Sequence, residues 1–233
     1  MARKARSKKT VPKYKSKPWH MVVDQVMRTV FRLNTAENAG TCFLVSLGTD
    51  TQTSQTFAMF ATAWHVLENL QGSSPEIEII SADKSKIFSS KTRKTAFFRM
   101  GTTSDAALIM IEVGPELTQE NLLPIMPFKD QLARGAEIGW LGFPGLFNAE
   151  PCFFLGVISG YLNDPPTYLV DGVAVNGVSG GPAFDDRAHL IGLVSAYIPN
   201  KVNETTTLPG LLALVPINAI RFWIEHHLGA RVL

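Results

Sequence analysis

The sequence predicts an all-β protein of two sandwiches or barrels closed by one helix, and three observations predict it. Short apolar runs rich in Val, Ile, Phe and Thr recur between turn residues from Val22 onward. One stretch near the end, after Pro216, carries helical periodicity instead. The chain has 233 residues, 45% hydrophobic and 18% charged, with only two cysteines. It can therefore bury the cores of two small β units, but packing rather than disulfides must hold them.

In chain order, Met1 to Pro18 reads as a disordered basic tail. Residues 1–17 hold eight basic side chains (Arg3, Lys4, Arg6, Lys8, Lys9, Lys13, Lys15 and Lys17) and no acid, with too few apolar residues to offset the entropy of ordering. The other 216 residues carry 14 basic and 20 acidic side chains, so a net +2 resolves into a +8 tail and a −6 body. Such a tail can bind an anionic partner, nucleic acid or a membrane surface, by counterion release, or remain solvated without one. It contains no apolar stretch of a secretory signal, so the expected location is cytoplasmic, with the basic tail leaving a nuclear or other address open.

The body divides into an N-terminal β unit over 19–118 and a C-terminal unit with the closing helix over 119–233. Twelve short strands are expected: Met27 to Leu33, Thr41 to Leu47, Thr56 to Thr62, Glu76 to Ser81, Ala96 to Met100, Ala106 to Val113, Glu137 to Leu141, Phe153 to Ser159, Tyr168 to Val170, Pro182 to Phe184, Leu190 to Ile198 and Leu211 to Val215. A helical turn follows His65 through Val66 to Leu70. The final helix starts at Pro216, puts most of its apolar side chains (Ile217, Ile220, Phe222, Trp223, Ile224 and Leu228) on a broad face, and stops at Gly229. The longest purely apolar runs, such as Ala106 to Ile111, are too short to span a bilayer as a helix. Two cysteines cannot build a zinc site of several thiolates, and nothing suggests a cofactor. His226 and His227 read as a solvated helix end.

Three segments each join an apolar strand to one reactive residue. Phe57 to His65 runs through small residues to a histidine, which alone is more often a packed core residue than a catalyst. Asp105 precedes a buried strand, where aspartate commonly satisfies turn amides. Asn176-Gly-Val-Ser179-Gly-Gly-Pro182 surrounds one serine with three glycines, a density that a surface turn rarely needs. The chemistry links them. A serine hydroxyl needs an imidazole to take its proton, the imidazole needs an acid on its other nitrogen, and the oxyanion needs fixed donors, which the Gly177 and Ser179 amides can supply.

These segments, in the order His, Asp, Ser, resemble the trypsin-like (chymotrypsin-fold) serine peptidases, in particular compact bacterial-type members without disulfides. The resemblance rests on Gly40-Thr-Cys-Phe-Leu-Val45, Ala61-Thr-Ala-Trp-His65, Ser104-Asp-Ala-Ala-Leu-Ile109 and Gly177-Val-Ser-Gly-Gly-Pro182, with further similarity in Gly139 to Pro144 and Ile191 to Tyr197. It implies two six-stranded antiparallel β-barrels with a C-terminal helix and a site in the cleft between the barrels. It also implies His65 as general base and acid, Asp105 as its orienter, Ser179 as nucleophile, and the Gly177 and Ser179 amides as oxyanion hole. Ser195, Ala196 and Tyr197 would line the primary pocket with Val173 at its base, and a polypeptide substrate would add as an extended strand.

Two departures from the pattern matter. Val178 stands where secreted members carry an aspartate that receives the new amino terminus after zymogen cleavage, so the loop 171–178 must be held otherwise. Val173 puts no acid at the pocket base, which favours an apolar or small side chain before the scissile bond over Lys or Arg. These departures leave two readings open: a serine endopeptidase acting through an acyl-enzyme, or an idle or conditionally activated binding module whose basic tail recruits an anionic partner. Cys42 and Cys152 are expected free and buried.

Overall fold

The computed structural model describes residues 17–70, 75–127, 132–145, 150–201 and 207–227. The basic run therefore lies outside the described residues except for Lys17 and Pro18, as do the side chains of His226 and His227. In chain order the elements are α1 (Trp19–Met27), β1 (Val30–Thr35), β2 (Ala39–Thr49), β3 (Thr56–Thr62), α2 (Trp64–Leu67), β4 (Ile77–Ser81), β5 (Ile87–Ser89), β6 (Thr95–Arg99), β7 (Ala107–Val113), a 3-10 turn at Gln119–Asn121, β8 (Glu137–Gly142), β9 (Cys152–Asn163), β10 (Pro166–Asp171), β11 (Pro182–Phe184), β12 (Leu190–Lys201), β13 (Thr207–Pro216) and α3 (Ile217–His227).

The strands form two antiparallel bodies. Strands β1 to β7 make a curled seven-stranded sheet in the order β5-β4-β1-β2-β3-β7-β6, and β8 to β13 close into a barrel in the order β10-β13-β12-β11-β8-β9. The fold is thus of the expected type. Only the second body closes: β5 and β6, the outer strands of the first sheet, are not paired with each other. The first sheet packs around Phe31, Phe60 and Phe88, whose rings lie 5.0 to 6.3 Å apart. The barrel interior is filled by Trp140, Ile138, Val170, Ile191 and Leu212.

Besides the 3-10 turn, two elements were not expected. β5 has only three residues, below the length at which alternation is readable. α1 occupies a segment whose end the sequence reading assigned to a strand. Val22 and Val26, one helical turn apart, are fully buried, and the Trp19 indole N–H donates to Glu137 Oε1 at 2.6 Å while its ring packs 5.4 Å from Phe153. The Trp19 contacts lie on the second barrel, while Val22 and Val26 are buried in a cluster that includes residues of the first sheet. α3 packs on β12 and β13 of the barrel that it follows, and its Ile217, Ile220 and Ile224 belong to an apolar cluster shared by residues of both bodies.

Candidate active site

β3 delivers its chain into α2, and His65 sits in the first turn of that short helix. Asp105 lies just before β7, which pairs with β3 so that Thr62 faces Ala107. This register brings the two ends together. The His65 backbone N–H donates to Asp105 Oδ1 at 2.9 Å, and the His65 Nδ1 lies 2.8 Å from Asp105 Oδ2. A carboxylate only accepts, so Nδ1 carries the proton and Nε2 presents a lone pair.

A third donor reaches the same carboxylate: the Ser195 hydroxyl, on β12 of the second body, at 2.6 Å from Oδ2. Burial works against the Asp105 charge, but the hydrogen bonds from His65 and Ser195 outweigh it and hold the carboxyl below its usual range. The Asp105 hydrogen bond raises the His65 pKa above its ordinary value, with burial opposing in part. Ser195 was read from the sequence as a pocket residue only; its bond to Asp105 carries no sequence signal because the two lie 90 residues apart.

Ser179 stands on the loop between β10 and β11. Its carbonyl accepts from the Thr41 N–H at 2.9 Å, and a Cβ built on Gly180 would lie 2.8 Å from the Ala63 nitrogen, two residues before His65. Gly180 N–H donates to Val194 O and Val194 N–H to Gly181 O, next to Ser195. The loop is thereby fixed against both the His65 turn and the Ser195 strand. The hydrogen bonds of the His65 ring run to Asp105, and none joins it to Ser179 among the described residues; nucleophile–base contacts are commonly looser without substrate.

Val178 is fully buried against Gly142, where any side chain on Gly142 would collide with it. An apolar contact thus stands where an ion pair could not form. Gly177 has φ +92°, a conformation that only glycine adopts without strain. Asn176 O accepts from Gly145 N–H at 2.7 Å, so the trans peptide aims the Gly177 N–H the opposite way. Among the described residues no acceptor is paired with the N–H of Gly177 or of Ser179.

A pocket of about 460 Å³ opens beside Ser179, walled by Ala174, Val175, Asn176, Val194, Ala196 and Tyr197. Among the described residues no charged side chain lines it. Val173 is not part of the wall: it is 62% exposed on the outside, and its two successors face the pocket instead. The pocket assignment therefore moves to Ala174 and Val175, because counting back from the serine cannot resolve how the loop turns after β10. Cys42 and Cys152 are both free, Cys42 buried and Cys152 partly so. Burial pushes the Cys42 thiol well above its usual value, the reverse of what a thiolate nucleophile needs.

A profile of the trypsin-like peptidase domain matches residues 40–193, a span that contains His65, Asp105 and Ser179. The chain belongs to the trypsin-like peptidase family. Among solved structures, this trypsin-like chain resembles Rv3671c from M. tuberculosis, in the inactive form of a serine-to-alanine mutant, at TM-score 0.64 and 16% identity over 96% of this chain and 99% of that one. It also resembles Deg5 at TM-score 0.61 and 19% identity, covering 87% of this chain and 90% of the other. At these identities the likeness concerns the fold. No curated protein sequence matches the chain.

Proposed function

We propose that this trypsin-like protein is a serine endopeptidase. The observation that carries the reading is the chain of contacts Ser195–Asp105–His65, set against a glycine-framed Ser179 loop with two unpaired backbone N–H groups. In this reading Ser179 Oγ attacks the scissile carbonyl carbon while His65 Nε2 takes its proton. His65 returns that proton to the leaving amine, and water then cleaves the acyl-enzyme by the same path. Asp105 fixes the tautomer and stabilises the imidazolium. The Gly177 and Ser179 N–H groups receive the oxyanion.

The uncharged wall of Ala174, Val175, Val194 and Ala196 suits an apolar or small side chain before the scissile bond, with the Tyr197 ring limiting its length. Lys and Arg would be buried there without a partner. A fluorophosphonate probe should label native wild-type protein at Ser179, and cleavage profiling on a denatured proteome should return uncharged residues before the cut. Folded protein that stays unlabelled from pH 7 to 9 would refute the peptidase reading, and strict cleavage after Lys or Arg would refute the pocket reading. Two unpaired cysteines suit a reducing compartment.

We also propose that residues 1–17 bind nucleic acid. They bring eight cations without an apolar run or a cysteine, whereas stable membrane anchoring needs an apolar signal beside a basic one. The Lys17 N–H donates to Asp186 O, beyond β11 from Ser179, and Trp19 is pinned at Glu137, the end of β8 remote from Val178. The tail thus joins the body at the end of the barrel away from the site.

A further inference from the structure

Resting on the peptidase reading, we infer that Thr41 is the positioning residue that keeps the oxyanion site assembled, in place of a latch made by a cleaved amino terminus. Thr41 lies on β2 of the first sheet and is fully buried. Its hydroxyl donates to Gly177 O at 2.7 Å and accepts from Phe143 N–H at 2.9 Å, while its own backbone N–H holds Ser179 O at 2.9 Å. One residue of the first body thus grips three backbone groups of the second.

What those grips restrain is the peptide that must present the Gly177 N–H. Glycine at φ +92° can turn either neighbouring peptide at little cost, and a flipped 176–177 peptide would point a carbonyl where the oxyanion must sit. Each carbonyl flanking Gly177 is tied instead: Asn176 O to Gly145 N–H, and Gly177 O to Thr41 Oγ1. Gly145 belongs to the segment that begins at Phe143, whose N–H is the other partner of the same hydroxyl. The Thr41 hydroxyl therefore joins both walls of the turn in one frame. Val178 is buried against Gly142 as a neutral residue and contributes no ionic tie. Oxyanion competence becomes a property of the closed interface between the two bodies, present without proteolytic activation.

Thr41→Val removes the hydroxyl at nearly constant volume, and Thr41→Ser keeps it. Thr29→Val serves as the matched control, because Thr29 is as buried and its hydroxyl bonds only Val26 O, away from the loop. With a short peptide substrate, Thr41→Val should lower kcat between about 10- and about 100-fold, less than or near the loss of a direct oxyanion donor. KM and the acid midpoint of the pH profile should stay near wild type, and fluorophosphonate labelling of Ser179 should slow in parallel. Thr41→Ser should recover most of the rate. Thr29→Val should lower the Tm without lowering kcat. If wild type is labelled and turns over while folded Thr41→Val does so equally fast, the inference is overturned and the peptidase reading stands. A Thr41→Val protein that does not fold leaves Thr41→Ser to decide, since a loss there as large as that of Thr41→Ala would remove the hydroxyl from the argument. Wild type that is never labelled overturns the peptidase reading itself.

Discussion

Asp105 takes three hydrogen bonds, from the His65 N–H, the His65 ring and the Ser195 hydroxyl, and on the peptidase reading that load sets the pH dependence to be expected of the site. The base form of His65 is the neutral imidazole. Because the Asp105 bond raises the His65 pKa, the acid limb of kcat/KM should have its midpoint above the ordinary imidazole value of about 6.5. Asp105→Asn removes that charge, so the midpoint should fall and kcat should drop by about 10⁴, the scale of losing the tautomer in such a triad. A profile flat from pH 8 to pH 5 would contradict the role of His65. Ser179→Ala and His65→Ala should each cost several decades of kcat at unchanged Tm, read by active-site kinetics and calorimetry. The residue types of the candidate site were legible because each answers a chemical need and stands near a strand, His65 just after β3, Asp105 just before β7 and Ser179 in the glycine-rich loop before β11. The Ser195 bond and the exposure of Val173 were not legible, since both depend on side-chain direction across a cleft.

At the scale of elements, the loop from β10 to β11 is where local conformation and long-range contact have to agree. Gly180 has φ +84°, and a Cβ there would lie 2.2 Å from Thr41 O and 2.3 Å from Thr62 Oγ1. Gly180→Ala should therefore destabilise by at least about 2 kcal/mol, measurable by denaturant unfolding, and depress activity with it. Val178→Asp tests the apolar seat directly. An unpaired carboxylate buried there should cost about 3–5 kcal/mol, so a variant as stable as wild type would show that the seat is not dry. The glycines around Ser179 announced this loop in the sequence. By contrast, α1 has nine residues, too short to be stable alone, and its helical state is decided by the burial of Val22 and Val26 and by Trp19 reaching Phe153 and Glu137.

For the whole molecule, the separation of a +8 tail from a −6 body suggests two independent functions on one chain. Deleting residues 1–17 should leave hydrolysis of a short peptide unchanged while abolishing binding to a labelled single-stranded RNA of mixed sequence. With up to eight phosphates engaged, the affinity of the full chain should fall about a thousandfold between 50 and 200 mM salt. Anisotropy titrations at the two salt concentrations check this, and capture by anionic vesicles without RNA binding would show that the tail's partner is a membrane.

Sequence alone determined the strand-rich class, the final helix, the basic tail and the three reactive residue types with their glycine frame. These are local properties: alternation, turn chemistry and composition depend on neighbours a few residues away. Tertiary structure decided that the first sheet stays open at β5 and β6, that Ala174 and Val175 wall the pocket, that Ser195 braces Asp105, and that Thr41 reaches Gly177. The last pair lies 136 residues apart, and no local pattern can encode such a contact. It exists because two separate β bodies, one open and one closed, meet along one cleft, where buried polar groups of each must find partners in the other.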